Sequence, residues 1–159
     1  MKKVIFALSV ILLFSTVATA FRVKQSKHIS SITLRRTGCY GTCPDYSIEI
    51  KKDGSAIFTG YRFTKDSGVF QKKLKKEEVQ KIMQMVQTYR LDTCKDRYPY
   101  MIADIPIFYF VIQYSKKNKK IDNATFGPFF LKDIANEMDR IANKTNNEGW
   151  EKMSSDAKK

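Results

Sequence analysis

Residues 46–61 leave the chain little choice. Tyr46, Ile48 and Ile50 alternate with Ser47, Glu49 and Lys51. Asp53-Gly54 follows, and then Ile57, Thr59 and Tyr61 alternate again. Alternation with period two marks a strand with one buried face. An Asp-Gly pair between two such runs accepts the positive φ angles of a type I′ hairpin turn. A two-residue turn sets Lys52 opposite Ser55. Ile50 then faces Ile57, Ile48 faces Thr59 and Tyr46 faces Tyr61. Every inward residue meets an inward residue, so turn and pattern agree on register.

The rest of the chain supplies partners for this hairpin. Ile32 and Leu34 alternate with Ser31, Thr33 and Arg35, a half-buried strand beginning near Ile29. Asp66-Ser67-Gly68 turns into a short strand, Val69 to Leu74. From Lys75 to Arg90, Val79, Ile82, Met83, Val86 and Tyr89 recur at helical spacing, with Glu77 and Glu78 in the first turn where the helix dipole favours them. Ile107 to Tyr114 is apolar on both faces and predicts a central strand. Lys116 to Lys120 predicts a basic hairpin tip, and Ile121 to Phe126 returns. A second helix carries Leu131, Ile134, Met138, Ile141 and Ala142 on one stripe. The expectation is a single two-layer α+β domain over residues 29–146, of order ββββαββα. About six antiparallel strands carry two helices on one face. Residues 147–159 are expected to be a polar C-terminal tail, apart from Trp150 and Met153.

The first 20 residues have a different purpose. Met1-Lys2-Lys3 is a positive start, Val4 to Val17 is almost wholly apolar, and Ala18-Thr19-Ala20 offers small residues where a signal peptidase cuts. This three-part pattern predicts a signal peptide over residues 1–20 and an exported protein, periplasmic or extracellular after cleavage. An uncleaved membrane anchor is the alternative. The apolar stretch is marginal against the about 20 residues that spanning needs. The remainder is one ordinary domain, long enough to bury a core. It is strongly basic, consistent with the net charge of +13 for the whole chain. Such a balance suits an anionic partner, though a lysine-rich surface also serves solubility.

The densest cluster of special residues is Arg36-Thr37-Gly38-Cys39-Tyr40-Gly41-Thr42-Cys43-Pro44-Asp45-Tyr46. Two cysteines separated by three residues allow three readings. A disulfide between Cys39 and Cys43 requires a tight turn, because bridged Cα atoms lie about 4.4–6.8 Å apart whereas an extended strand separates them by roughly 13 Å. Gly41 permits such a turn, and export favours oxidation. A metal site would need Cys94 and His28 as well, in a spacing that matches no standard zinc pattern. Redox chemistry favours two intervening residues at a helix N-terminus, and neither is present here. A pairing of Cys94 with Cys39 or Cys43 stays open.

The string Arg-Thr-x-Cys-Tyr-Gly-x-Cys-Pro-x-Tyr, followed by a strand, an Asp-Gly turn and a strand, resembles the signature of domain-of-unknown-function family 6438, found in exported bacterial proteins. Arg36, Cys39, Tyr40, Gly41, Cys43, Pro44 and Tyr46 carry the resemblance, with Asp53 and Gly54. Asp104-x-Pro106 and Glu137-x-Asp139 are similar to later features of that family, and the likeness spans roughly residues 30–142. Lys75, where a helix-capping serine would be common, and Cys94 depart from the pattern. The resemblance implies a fold and no activity.

Other candidates have plainer readings. His28 is the only histidine, which removes sites built on two. Asp45, Asp104 and Asp122 would be the acids of a carboxylate-pair hydrolase, yet all three sit at ordinary turn-forming positions. Phe58, Phe63, Phe108 and Phe110 could line a ligand groove, although strand aromatics more often form core. Lys116, Lys117, Lys119 and Lys120 could form an interaction surface, or simply guard a sheet edge. No cofactor is implied. The function that fits best is a non-catalytic binding module of the cell envelope, meeting an anionic envelope component or another envelope protein. Nucleic acid is disfavoured. A cysteine-based redox or metal-binding role and a hydrolase are the alternatives.

Overall fold

The computed structural model describes residues 28–99, 102, 104–115, 117–143 and 149–153. The expected signal peptide, Lys116 and most of the C-terminal tail lie outside the described residues. Within them, seven strands form one sheet: β1 (Ile29–Arg36), β2 (Asp45–Lys51), β3 (Ser55–Arg62), β4 (Gly68–Lys73), β5 (Phe108–Tyr114), β6 (Lys117–Ile121) and β7 (Glu151–Lys152). Their order is β6-β5-β1-β2-β3-β4-β7, and every neighbouring pair is antiparallel. Two helices, α1 (Lys76–Thr88) and α2 (Phe129–Ala142), complete the α+β unit.

One face of the sheet is dry. Ile32 and Leu34 of β1, Ile48 and Ile50 of β2, and Phe110 and Ile112 of β5 are wholly buried, in one cluster with Ile82 of α1 and Leu131, Ile134 and Met138 of α2. Burial of each such side chain contributes about 1.5–3 kcal/mol. The helices form where the sequence pattern expects them. Lys75 has no side-chain oxygen to cap α1, and the Glu78 carboxylate instead accepts the Lys75 backbone N–H at 3.2 Å. That supplies half of a capping box.

The central hairpin differs from expectation by one residue. Ile50 faces Ala56, Ile48 faces Phe58 and Tyr46 faces Gly60. The connection is a three-residue loop, Lys52-Asp53-Gly54, in which Gly54 N–H donates to the Lys51 carbonyl at 3.0 Å and only Gly54 takes positive φ, at 91°. The Asp53 carboxylate accepts from the Ser55 N–H and hydroxyl at 2.8 and 2.6 Å, which adds the extra residue to the turn. Those two bonds hold the carboxyl below its usual range. A one-residue slip reverses every side chain. Ala56 and Phe58 therefore point into the core, while Ile57 and Thr59 face outward and Tyr61 is exposed. Both sets of β3 residues read as apolar alternation, and the deeper burial of Phe58 decides between them.

β5 pairs with β1 on one side and the edge strand β6 on the other, an interior strand as its apolar faces predict. Two further expectations change. Lys117, Lys119 and Lys120 belong to β6 and not to a hairpin tip. The C-terminal tail returns to the sheet: Glu151 and Lys152 pair with Gln71 and Phe70, and Trp150 packs edge-on against Phe58 at 6.1 Å.

Candidate functional site

The cysteine motif occupies the connection between β1 and β2, and its polar residues anchor that loop in three directions. Arg35 and Arg36 are consecutive on a strand, so they point to opposite faces. Arg36 faces the helices. Its Nε lies 3.0 Å from both carboxylate oxygens of Asp139 on α2, and its Nη2 also donates to that carboxylate. The Tyr46 hydroxyl donates to the same carboxylate. The guanidinium lies over the Phe108 ring at 5.1 Å. Burial works against the Arg36 charge, but the hydrogen bond and charge of Asp139 outweigh it and raise the pKa. Burial, then the Asp139 charge, pushes the Tyr46 phenol far above its ordinary value.

Arg35 faces outward. It pairs with Asp45, donates to the Tyr46 carbonyl at 3.0 Å, and lies over the Tyr61 ring at 4.2 Å. Arg62 approaches the same Asp45 carboxylate at 3.8 Å. Tyr61 is the extra residue where the β2–β3 register shifts between Asp45 and Tyr46, a bulge that re-aims its ring along the sheet face. Thr37 fixes the third direction, donating through its N–H and hydroxyl to the Ile107 carbonyl at 2.9 and 3.2 Å.

Above these anchors the loop is closed by a Cys39–Cys43 disulfide, with Cα atoms 5.4 Å apart. Gly41 N–H donates to the Cys39 sulfur at 3.3 Å. Tyr40 stands at the tip, 93% exposed, and Pro44 is exposed where the chain enters β2. Cys94 is a free, half-buried thiol, so it bridges neither motif cysteine. Burial pushes its pKa up, although a hydrogen bond with Tyr98 and the charge of Lys119 oppose this.

The other sequence candidates are dispersed. Asp45 and Asp122 stand at the same end of the sheet but three strand spacings apart, roughly 14 Å. That exceeds the about 5–9.5 Å at which two carboxylates flank one scissile bond. Asp122 is held below its usual range first by a hydrogen bond from Lys120 and also pairs with Arg97. Asp104 is exposed on the approach to β5, with φ 59°. Among the described residues, no three of His, Cys, Asp and Glu gather to hold a metal ion. Phe58, Phe108 and Phe110 are core, while Phe63 is 55% exposed at the rim of a cavity of about 130 Å³. That is below the about 300 Å³ at which ligand pockets begin. Lys119 and Lys120 give their charges to Asp96 and Asp122, whereas Lys117 is exposed.

Arg35, Arg62 and the role of Asp139 escaped the sequence reading. One signal was present: of two adjacent arginines at a strand end, one must turn under the helices and needs an acid there. Glu137, on the same helix, does a different job. It accepts from Lys81 of α1 and from Arg140, both at 2.7 Å, and so links the two helices.

Over residues 30–142 the chain matches the family described as a domain of unknown function (DUF6438). The match runs from β1 to the last residue of α2, which is the whole sheet-and-helix unit except β7. No curated protein matches it. The match covers more than half of the chain, which therefore belongs to this family.

Proposed function

We propose that this chain is an exported, non-catalytic binding module whose contact surface is the disulfide-closed end of the sheet. The observation that carries the reading is Tyr40, 93% exposed at the tip of a loop that is cross-linked at its neck and anchored beneath by Arg36, Thr37 and Asp45. An exposed aromatic on a pre-shaped loop costs little conformational entropy to bind with. Contact residues concentrate on loops held by rigid scaffolds. Export rests on the lysines, apolar run and Ala18-Thr19-Ala20 of the first 20 residues, and a disulfide suits an oxidising compartment. The partner is an anionic envelope component or another envelope protein.

The test places a photo-crosslinking side chain at position 40 in the native host, with the same group at Phe129, 87% exposed on α2, as control. A discrete adduct from position 40, absent from position 129 and abolished by replacing both Cys39 and Cys43 with Ser, supports the reading. Adducts at both positions, or at neither, defeat it. Mass spectrometry of the same material should find Phe21 as the first residue. An intact Met1 in the membrane fraction would defeat cleavage.

A further inference from the structure

The opposite end of the sheet carries a second feature that the loop reading does not use. An open depression of about 550 Å³ lies over β3 and β4 beside the β2–β3 hairpin, within the size range of small-molecule sites. Ile57 contributes apolar surface to it, and Lys51, Lys72 and Lys73 line it. We propose that this depression binds the phosphate groups of a small polyanion.

The register places the cations. Lys73 lies opposite Ser55 on β4. Lys51 lies opposite Ser55 on β2, one step beyond the Ile50–Ala56 pair. Two strand spacings separate their Cα atoms by about 10 Å, a gap that two lysine stems can close on one phosphate or hold around two. Lys73 is already positioned: one of its ammonium protons goes to the Asp53 carbonyl at 2.5 Å, leaving two for a ligand. Lys72 reaches the rim beside Gly149. Among the described residues, neither Lys51 nor Lys72 has an ion-pair partner.

The acids nearby offset only part of this charge. Asp53 directs its carboxylate to the Ser55 N–H and hydroxyl, and its charge also acts on Lys73 and Lys51. Glu151 is the one acid among the lining residues, against three lysines. Cations gathered in a concavity with apolar walls focus positive potential outward. Lysine binds phosphate as a point charge, without the planar fork that would select a carboxylate. Asp45 and Lys51 bracket β2, so the depression and the cysteine loop lie about 20 Å apart.

The phosphate can come from a soluble molecule or from a lipid headgroup. The test uses two arms on the mature protein. In the first, pyrophosphate is titrated at low ionic strength and backbone amide shifts are followed. Saturable shifts are expected at Ser55, Ile57 and Gln71. In the second, flotation compares phosphatidylglycerol vesicles with phosphatidylcholine vesicles. Each arm is repeated with Lys51→Gln/Lys73→Gln and with Lys117→Gln/Lys132→Gln, which removes the same charge from exposed positions elsewhere. The first pair should weaken binding by about tenfold or more, a loss of about 1.4 kcal/mol, while the second pair changes it less than about twofold. Specific loss in the pyrophosphate arm alone identifies a soluble ligand, and specific loss in the vesicle arm identifies a headgroup. No saturable binding in either arm, or equal loss in both double variants, overturns the proposal. The Tyr40 cross-link is expected to survive Lys51→Gln/Lys73→Gln, so the two sites fail or stand separately.

Discussion

Asp139→Ala should be among the most damaging single substitutions outside the hydrophobic core. It leaves two groups without their acceptor: the Arg36 guanidinium, whose side chain is 23% exposed, and the buried Tyr46 hydroxyl. Exposed ion pairs contribute about 0.2–1 kcal/mol, and breaking a fully buried pair costs about 3–5 kcal/mol. With side-chain exposures of 23% and 18%, the Arg36–Asp139 pair falls between these limits. A hydrogen bond to a charged acceptor adds about 1.5–3 kcal/mol, though it shares the same carboxylate and does not sum in full. The expected loss is about 3 kcal/mol, and for a domain of this size a fall in Tm of about 10 °C. Urea unfolding followed by circular dichroism measures it. Replacing the pair together, Arg36→Met with Asp139→Leu, should recover most of the loss. The uncompensated guanidinium is the main cost, and an apolar pair of similar volume removes it. A loss below about 1 kcal/mol for Asp139→Ala, or a double variant no more stable than Asp139→Leu alone, would refute the argument.

Three further outcomes are expected. Gly60→Ala should cost about 1–3 kcal/mol in urea unfolding, because a methyl there would sit 2.2 Å from the Asp66 carbonyl, where the β3–β4 loop folds over the strand; a change within about ±0.5 kcal/mol counts against that packing. Replacing both Cys39 and Cys43 with Ser should cost no more than about 2 kcal/mol, the chain-entropy value for so short a loop, and leave the far-ultraviolet spectrum unchanged; loss of the sheet signal would mean that the bridge holds the fold and does not merely shape the loop. The Tyr46 phenol, raised by burial and then by the Asp139 charge, keeps its proton when folded and loses it when unfolded above its ordinary value. Its contribution is therefore complete below pH about 10 and lost as pH rises, by up to about 1.4 kcal/mol per unit. Tyr46→Phe should flatten the alkaline limb of the stability curve, and an unchanged slope would refute this.

What the sequence determined by itself is local. Period-two alternation identified β1 and β2, a short run after a turn identified β4, and an apolar run identified β5. The 3.6 period identified both helices and their buried stripes, apart from Tyr89, which is exposed just beyond α1. The spacing of Cys39, Gly41 and Cys43 pointed to a tight turn. These signals span a few residues, because backbone geometry alone converts them into structure. Register was less local. Ala56 and Phe58 compete with Ile57, Thr59 and Tyr61 for the inward face of β3, and the contest is settled by Phe58 packing against Tyr46 and Phe70 and by the Asp53–Ser55 bonds that lengthen the turn. The tail looked polar because Glu151 and Lys152 are polar. They join the sheet through backbone hydrogen bonding, which side-chain pattern does not encode, while Trp150 beside them fills a gap against Phe58. The motif's anchor was the least legible feature. Arg36 and Tyr46 meet an acid 103 and 93 positions away. That meeting exists only because β5 inserts beside β1 and α2 then packs on the face that carries Arg36 and Tyr46. A charge drawn beneath a helix needs a partner there, and only the tertiary structure decides which residue fills that place.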